Sequence, residues 1–173
     1  MMKGAEREYV IMVKGLSNGR HNLSFRVDKE LFAGFGNTQI LDASIVAELS
    51  LLKAAELIEI ECNITGNLVT ECDRCLEELT LPVETNAKLI VKFDRRESGI
   101  ESDEIIVLDP AESELDISQF LYDYICLSLP IKRVHKDGNC NPDMISRLEG
   151  PDPEPAQNGV NSPFDSLNEM IKN

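Results

Sequence analysis

The sequence is poor in aromatic and in basic residues. It contains no Trp, only 5% aromatic residues, and 17 Lys and Arg against 31 Asp and Glu, so its formal net charge is −14. Phosphate recognition requires clustered Lys and Arg. The composition therefore excludes nucleic-acid binding over the whole surface of this chain. Residues 61–125 hold most of the excess acid, whereas residues 126–149 carry four bases and three acids. We therefore expect any RNA contact to be local, and a basic protein partner to suit the remaining charge.

Long apolar runs and export signals are also missing. No apolar run approaches the roughly 18 residues that a membrane-spanning helix needs. Residues 1–16 place charges on both sides of a short apolar patch, unlike a signal peptide. We therefore expect a cytoplasmic protein without a membrane partner. In a reducing compartment its five cysteines, an odd number, are more often metal ligands, catalytic groups or buried small residues than disulfides.

Recognisable catalytic patterns are absent as well. The chain has two His and no nucleophile elbow, phosphate-cradling loop or dinucleotide fingerprint. Carboxylates are numerous, but a run of charges is usually a solvated face, and no acid–base pair stands out. We expect a protein that is not an enzyme.

Alternation of apolar and polar residues dominates the middle of the chain. Apolar residues keep one parity over 57–72 and again over 79–93, which predicts two long antiparallel strands, a hairpin around 57–93. The first strand is expected to be bulged or bent near Gly66. The hairpin tip carries the pair Cys72 and Cys75 in the stretch "ECDRCLEEL".

Shorter strands are predicted on both sides of this hairpin. Residues 8–16 and 22–27 suit a second hairpin with its turn at Ser17–Arg20, because Asn-Gly tolerates positive φ. Residues 44–51 alternate in the same way, residues 95–104 suit a charged loop, and residues 105–108 a short strand.

One main helix is predicted over about 116–129. Asp116 suits the N-cap with Gln119 completing a capping box, and Pro130 ends the helix. Its apolar stripe comprises Ile117, Phe120, Leu121, Tyr124 and Ile125. The fold class is thus α+β, a mainly antiparallel sheet packed with one main helix and short C-terminal helical segments.

The rest of the chain divides into three parts. A short helix opens at Asn141 with Pro142 in its first position, and a single α+β domain spans residues 1–149. Residues 150–162, rich in Pro, suit a flexible linker, and residues 163–173 a short amphipathic segment.

Three chemistries are open for Cys72 and Cys75. Two Cys spaced by two residues can chelate one edge of a tetrahedral zinc, and His135 with Cys140 offers the other edge if the fold brings the two pairs together. A redox pair would instead stand at a helix start. Here a strand pattern follows, and the nearby acids Asp73, Glu77 and Glu78 are expected to raise the thiol pKa values. The third possibility is two inert cysteines. Cys62 and Cys126 are expected to be buried small residues.

Two further groups are candidates for contacts with partners. Residues 130–136, with Arg74 nearby if the metal site forms, are the best candidate for a local RNA or phosphate contact through Arg74, Lys132, Arg133 and Lys136; the alternative is a solvated basic loop. The terminal segment, with Phe164 and Leu167, is either a docking peptide or packs on its own domain.

The order of these motifs resembles the YceD family, the large ribosomal RNA subunit accumulation proteins. The resemblance spans roughly residues 60–172 and rests on "CDRCLEEL", "LDISQFLYDYICLSLPIKRVH", "GNC" and "SPFDSLNEM". The matching residues are Cys72, Arg74, Cys75, Leu115, Asp116, Leu129, Pro130, His135, Cys140, Pro163, Phe164 and Leu167.

The resemblance implies a role in accumulation of large-subunit ribosomal RNA and in biogenesis of the large ribosomal subunit. It implies binding to a pre-ribosomal particle rather than catalysis, and it strengthens the case for a structural zinc. We expect the acidic domain to engage a basic ribosomal protein or assembly factor while the basic loop touches RNA. The alternative is a thiol-dependent redox or metal-transfer protein that uses Cys72 and Cys75.

Overall fold

A mainly antiparallel six-stranded sheet is the largest element of the fold. The computed structural model describes residues 9–94, 99–102 and 104–150; the predicted linker and the segment with Phe164 and Leu167 lie almost wholly outside them. In chain order the elements are β1 Val10–Met12, a 3-10 turn Val13–Gly15, β2 Gly19–Val27, α1 Lys29–Gly34, β3 Ile40–Lys53, β4 Leu57–Glu71, β5 Glu78–Phe93, β6 Gly99–Ser102, β7 Ile105–Leu108, β8 Glu114–Asp116, α2 Ser118–Ser128 and α3 Pro142–Leu148. The predicted α+β class is confirmed.

The large sheet has the strand order β2-β3-β4-β5-β7-β6. Strands β2 to β5 are antiparallel neighbours, and β7 runs parallel to β5. The predicted long hairpin is confirmed, with Glu71 paired to Glu78 at its tip. Because side chains alternate along a strand, one face of the sheet is apolar and the other is left to solvent.

Helices α1 and α2 and the small β1–β8 sheet cover the apolar face. Phe32 of α1 and Leu121 and Ile125 of α2 are fully buried there. The aliphatic rows of β3, β4 and β5 lie beneath them: Ile45, Ala47, Leu49, Leu51, Ile58, Ile60, Cys62, Ile64, Val83, Ala87, Leu89 and Val91. Of the predicted helical stripe, Tyr124 is only half-buried. Cys62 is buried as predicted, and burial raises its pKa to about 12; Cys126 is half-buried.

Gly66 lies where two long strands approach each other closely. Its φ is +154°, and a Cβ atom there would stand 2.6 Å from the Cα of Ile45 and still closer to the carbonyl oxygen of Ser44. A side chain is therefore excluded at this position. Of the predicted bulge or bend at Gly66, the bulge is wrong, because the pairing register is unbroken there; the register shift lies on β3, between Ile40 and Asp42.

Three other local predictions are corrected. The N-terminal hairpin is wrong, because β1 pairs with β8, with Ile11 opposite Leu115. Residues 95–104 are not wholly a loop, since β6 lies within them. The capping box is also wrong: Asp116 belongs to β8 and accepts hydrogen bonds from the N–H and hydroxyl of Ser118, while the Gln119 amide donates to Asp123. Helix α2 accordingly begins two residues later than predicted.

Candidate metal centre

The tip of the β4–β5 hairpin is a compact knuckle, residues 72–77. The N–H of Cys72 donates to the carbonyl of Glu77 at 2.8 Å, and the N–H of Leu76 donates to the carbonyl of Cys72 at 2.9 Å. Leu76 completes the reversal in the left-handed region, with φ 62°. The knuckle buries both cysteines, leaving Cys72 0% and Cys75 2% exposed.

The loop that follows α2, residues 131–140, is fastened to this knuckle. The N–H of Asp73 donates to the carbonyl of Arg133 at 2.7 Å, and the N–H of Arg133 donates to the Asp73 carboxylate at 2.6 Å. The Arg133 guanidinium adds a 3.4 Å ion pair to the same carboxylate. Beyond the loop, the Asn141 amide donates to Glu77 at 2.6 Å, and Asn141 caps α3 as predicted. Two segments about sixty residues apart are thereby held side by side.

Four ligand atoms converge between the knuckle and the loop. Those of Cys72, Cys75, His135 and Cys140 all lie within 4.8 Å of one another. The Sγ atoms of Cys72 and Cys140 are 3.9 Å apart, and His135 Nδ1 lies 3.4 Å from Cys75 Sγ and 3.9 Å from Cys140 Sγ. Bond lengths to tetrahedral zinc imply edges of about 3.8 Å between two sulfurs and about 3.5 Å between sulfur and nitrogen. The arrangement can hold a metal ion.

His135 is oriented by a second contact. Its Nε2 lies 3.0 Å from the carbonyl oxygen of Glu78, which can only accept, so Nε2 carries the proton in the neutral ring. The lone pair of Nδ1 then faces the three sulfurs. This carbonyl–His pairing is the support that metal-binding imidazoles usually have.

Backbone N–H groups favour the thiolate forms of the knuckle cysteines. Burial alone raises the pKa of Cys72, but the N–H groups of Cys75, Arg74 and His135 outweigh it and lower the pKa to about 6. The N–H of Asn141 is the main cause of a lowered pKa at Cys75. The expectation that neighbouring acids raise these pKa values is therefore wrong. Asp73 and Glu77 point to Arg133 and Asn141 instead of to the sulfurs.

The other two ligands shift in the opposite direction. Burial raises the pKa of Cys140, with the two knuckle cysteines adding to the shift. Burial alone would lower the pKa of His135, but its hydrogen bonds to Cys75 and to the Glu78 carbonyl raise it. A cation among these groups would favour the thiolate form of all three cysteines and the neutral form of the histidine.

The four residues predicted to touch RNA have different surroundings. Lys132 and Lys136 are exposed. The Arg133 guanidinium is engaged by Asp73 and by the Gln39 side-chain oxygen at 3.2 Å. Arg74 is half-buried and forms no ion pair with any residue that the structure describes. An RNA contact by these residues stays a prediction.

Several parts of the site were missed by sequence reasoning. Asp73 and Gln39 fasten the loop through contacts between distant segments, and Glu78 contributes only its backbone, so no residue type signals its role. A small apolar cluster around the centre was also missed; it touches the main core through Leu81 and comprises Cys72, Cys75 and Leu79 with Leu81, Val134, Cys140 and Met144.

Comparison with known proteins identifies the family. A family model described as "Large ribosomal RNA subunit accumulation protein YceD" matches residues 60–170, well over half of the chain. No curated protein and no solved structure matches. None of the helices in residues 9–94 and 104–150 is long and apolar enough to cross a membrane. The chain belongs to the YceD family.

Proposed function

We propose that this chain is a non-catalytic factor that supports accumulation of large-subunit ribosomal RNA and biogenesis of the large ribosomal subunit, with a structural zinc at its Cys3His centre. The observation that carries the proposal is the family match over residues 60–170, which includes all four residues of the centre.

Zinc is the ion that this donor set suits best. Three soft thiolates and one imidazole at the corners of a tetrahedron are typical of structural zinc sites. Four protein ligands leave no coordination position for a substrate, so the ion would link the hairpin tip to residues 131–140 rather than perform chemistry. Its binding free energy would then contribute to folding.

The acidic character of the chain supports a basic protein partner. With a net charge of −14, the chain is repelled by bare RNA at long range and attracted to a basic ribosomal protein or assembly factor of the pre-ribosomal large subunit. We propose that it acts in the cytoplasm and that any direct RNA contact is confined to a small surface.

A gene deletion tests this function. Sucrose gradients of the deletion strain should show a selective deficit of large subunits, restored by the wild-type gene and by Cys126→Ser but not by Cys75→Ser. Cys126 is the matched control because it is half-buried outside the centre. An unchanged ratio of large to small subunits would refute the proposed role.

One observation favours a second candidate, a thiol-dependent redox or metal-transfer protein. The lowered pKa of Cys72, about 6, makes a thiolate available at neutral pH. The burial of both knuckle cysteines opposes this function because an attacking thiolate must be accessible. Rapid alkylation of the zinc-loaded protein and formation of a Cys72–Cys75 disulfide under mild oxidant would favour the redox function. Alkylation that is slow until a chelator is added would favour the structural zinc.

A further inference from the structure

An aromatic pair lies on the surface between α1 and α2. The rings of Phe35 and Tyr122 are stacked, with centroids 4.4 Å apart and planes inclined by 27°. Tyr122 also contacts the buried Phe32, at a centroid distance of 6.0 Å. Phe35 is 38% exposed. The Phe35 ring thus packs on Tyr122, which in turn contacts the buried Phe32, and part of the Phe35 ring faces solvent.

Polar contacts join this pair to the basic loop at the metal centre. The Asn37 amide donates to the Tyr122 hydroxyl at 3.3 Å, and its oxygen accepts from the N–H of Gln39 at 3.0 Å. The Gln39 side chain then accepts from Arg133 at 3.2 Å. Asn37 and Gln39 of the α1–β3 loop, residues 35–39, therefore link the aromatic pair to the loop that carries Lys132.

The charge of the chain limits how it can hold RNA. At −14 net charge, phosphate contacts alone cannot supply most of the affinity. Stacking of an unpaired base on an aromatic ring depends little on net charge and contributes roughly 5- to 160-fold in affinity per base. Among exposed large apolar side chains in the described residues, Phe35 is the one with a ring.

We propose that Phe35, backed by Tyr122 and followed by Asn37 on the same loop, is a stacking site for an unpaired base of RNA, and that the exposed Lys132, next to Arg133 in the chain, contacts a phosphate. The inference rests on the proposed function and deepens it, because it assigns the direct RNA contact to the α1–β3 loop and Lys132 rather than to the knuckle. Arg133 acts here as a positioning residue: it holds Gln39 to Asp73 and so fixes the α1–β3 loop against the metal centre.

Fluorescence anisotropy with the full zinc-loaded chain tests the site. The probe is a dye-labelled, unstructured RNA of about a dozen nucleotides, compared with the same sequence as a duplex. We expect the single strand to bind more tightly, Phe35→Ala to weaken binding roughly 5- to 160-fold, and Phe35→Trp to preserve it. Leu52→Ala, at a side chain 45% exposed on the open sheet face, is the matched control and should leave binding unchanged.

Salt dependence provides an independent readout. With one or two phosphate contacts, the logarithm of the association constant should fall with log salt by a slope of only about 0.7 to 1.4. Lys132→Gln should reduce that slope, whereas Arg20→Gln, at the exposed edge strand β2, should not.

Two results would overturn the inference. One is equal affinity of folded Phe35→Ala and wild type for the single strand. The other is no RNA binding by the wild type. If RNA binding fails while the deletion strain still lacks large subunits selectively, the stacking site is wrong and the proposed function stands through a protein contact. If the subunit ratio is unchanged, the proposed function itself fails.

Discussion

Metal removal should undock one region of the protein without unfolding its sheet. The centre packs in its own small cluster around Cys72, Cys75 and Leu79, which meets the main core between the sheet and the helices at Leu81. None of the side chains of helix α3 is fully buried. We therefore expect chelation, or Cys75→Ser, to release residues 72–77 and 131–148 while β3, β4 and β5 stay folded.

The magnitude follows from linkage between binding and folding. At a free zinc concentration 100 times its dissociation constant, the bound ion stabilises the folded state by about 2.7 kcal/mol. For a domain of this size, that corresponds to a decrease in Tm of roughly 5 to 11 °C on chelation. Unfolding should be followed by far-ultraviolet circular dichroism, because the chain has no Trp.

Hydrogen exchange then tests where stability is lost. After metal removal, hydrogen exchange should be faster in the knuckle and in residues 131–148. Titration with a chromogenic chelator should release one zinc ion per chain. Cys126→Ser should retain its zinc and its response to chelator. A wild-type protein whose Tm and exchange are the same with and without chelator would refute the metal clamp.

Three further predictions follow from the geometry. Gly66→Ala should lower the free energy of unfolding by more than about 2 kcal/mol in urea titration, because the new Cβ meets the β3 backbone; a neutral substitution would contradict the close approach. In chelated, folded protein, mass spectrometry should find the three thiols of the centre alkylated and Cys62 unmodified, since Cys62 is buried and its pKa is about 12. In metal-free protein the Cys72 thiolate should form with a midpoint near pH 6. That pKa lies below 9.0, the ordinary pKa of a cysteine thiol. The stability that the Cys72 thiolate contributes is therefore complete above pH 9 and is lost as pH falls towards 6. A Cys72→Ser variant with an unchanged pH profile would contradict this.

The strands of the large hairpin could be predicted because their information is local. Side-chain alternation fixes which residues face the core, and the parity is preserved through Gly66 even though its backbone is unusual. The convergence of two Cys with His135 and Cys140 could also be predicted, because no other loop offered ligand-type residues in a suitable pair.

The pairing of distant segments could not be predicted from local patterns. Strand β1 has only three residues and pairs with β8, which lies more than a hundred positions away in the chain. The sequence of β6 contains polar residues of the kind that are typical of a loop. Asp116 has good N-cap chemistry, but its backbone is engaged in β8, so tertiary pairing displaces the helix start. The thiol pKa values likewise depend on backbone N–H directions that residue types do not reveal.

The docking of α3 also fixes the point from which the chain continues towards Pro163. With α3 held at Glu77, 14 residues lie between the end of the helix and Pro163; if α3 were released, the count from the end of α2 would be 34 residues. If residues 150–162 form the flexible linker that their composition predicts, the effective concentration of residues 163–173 near the domain would fall as about the −3/2 power of this length, roughly fourfold. Under that prediction, the metal ion would set the reach of the terminal segment.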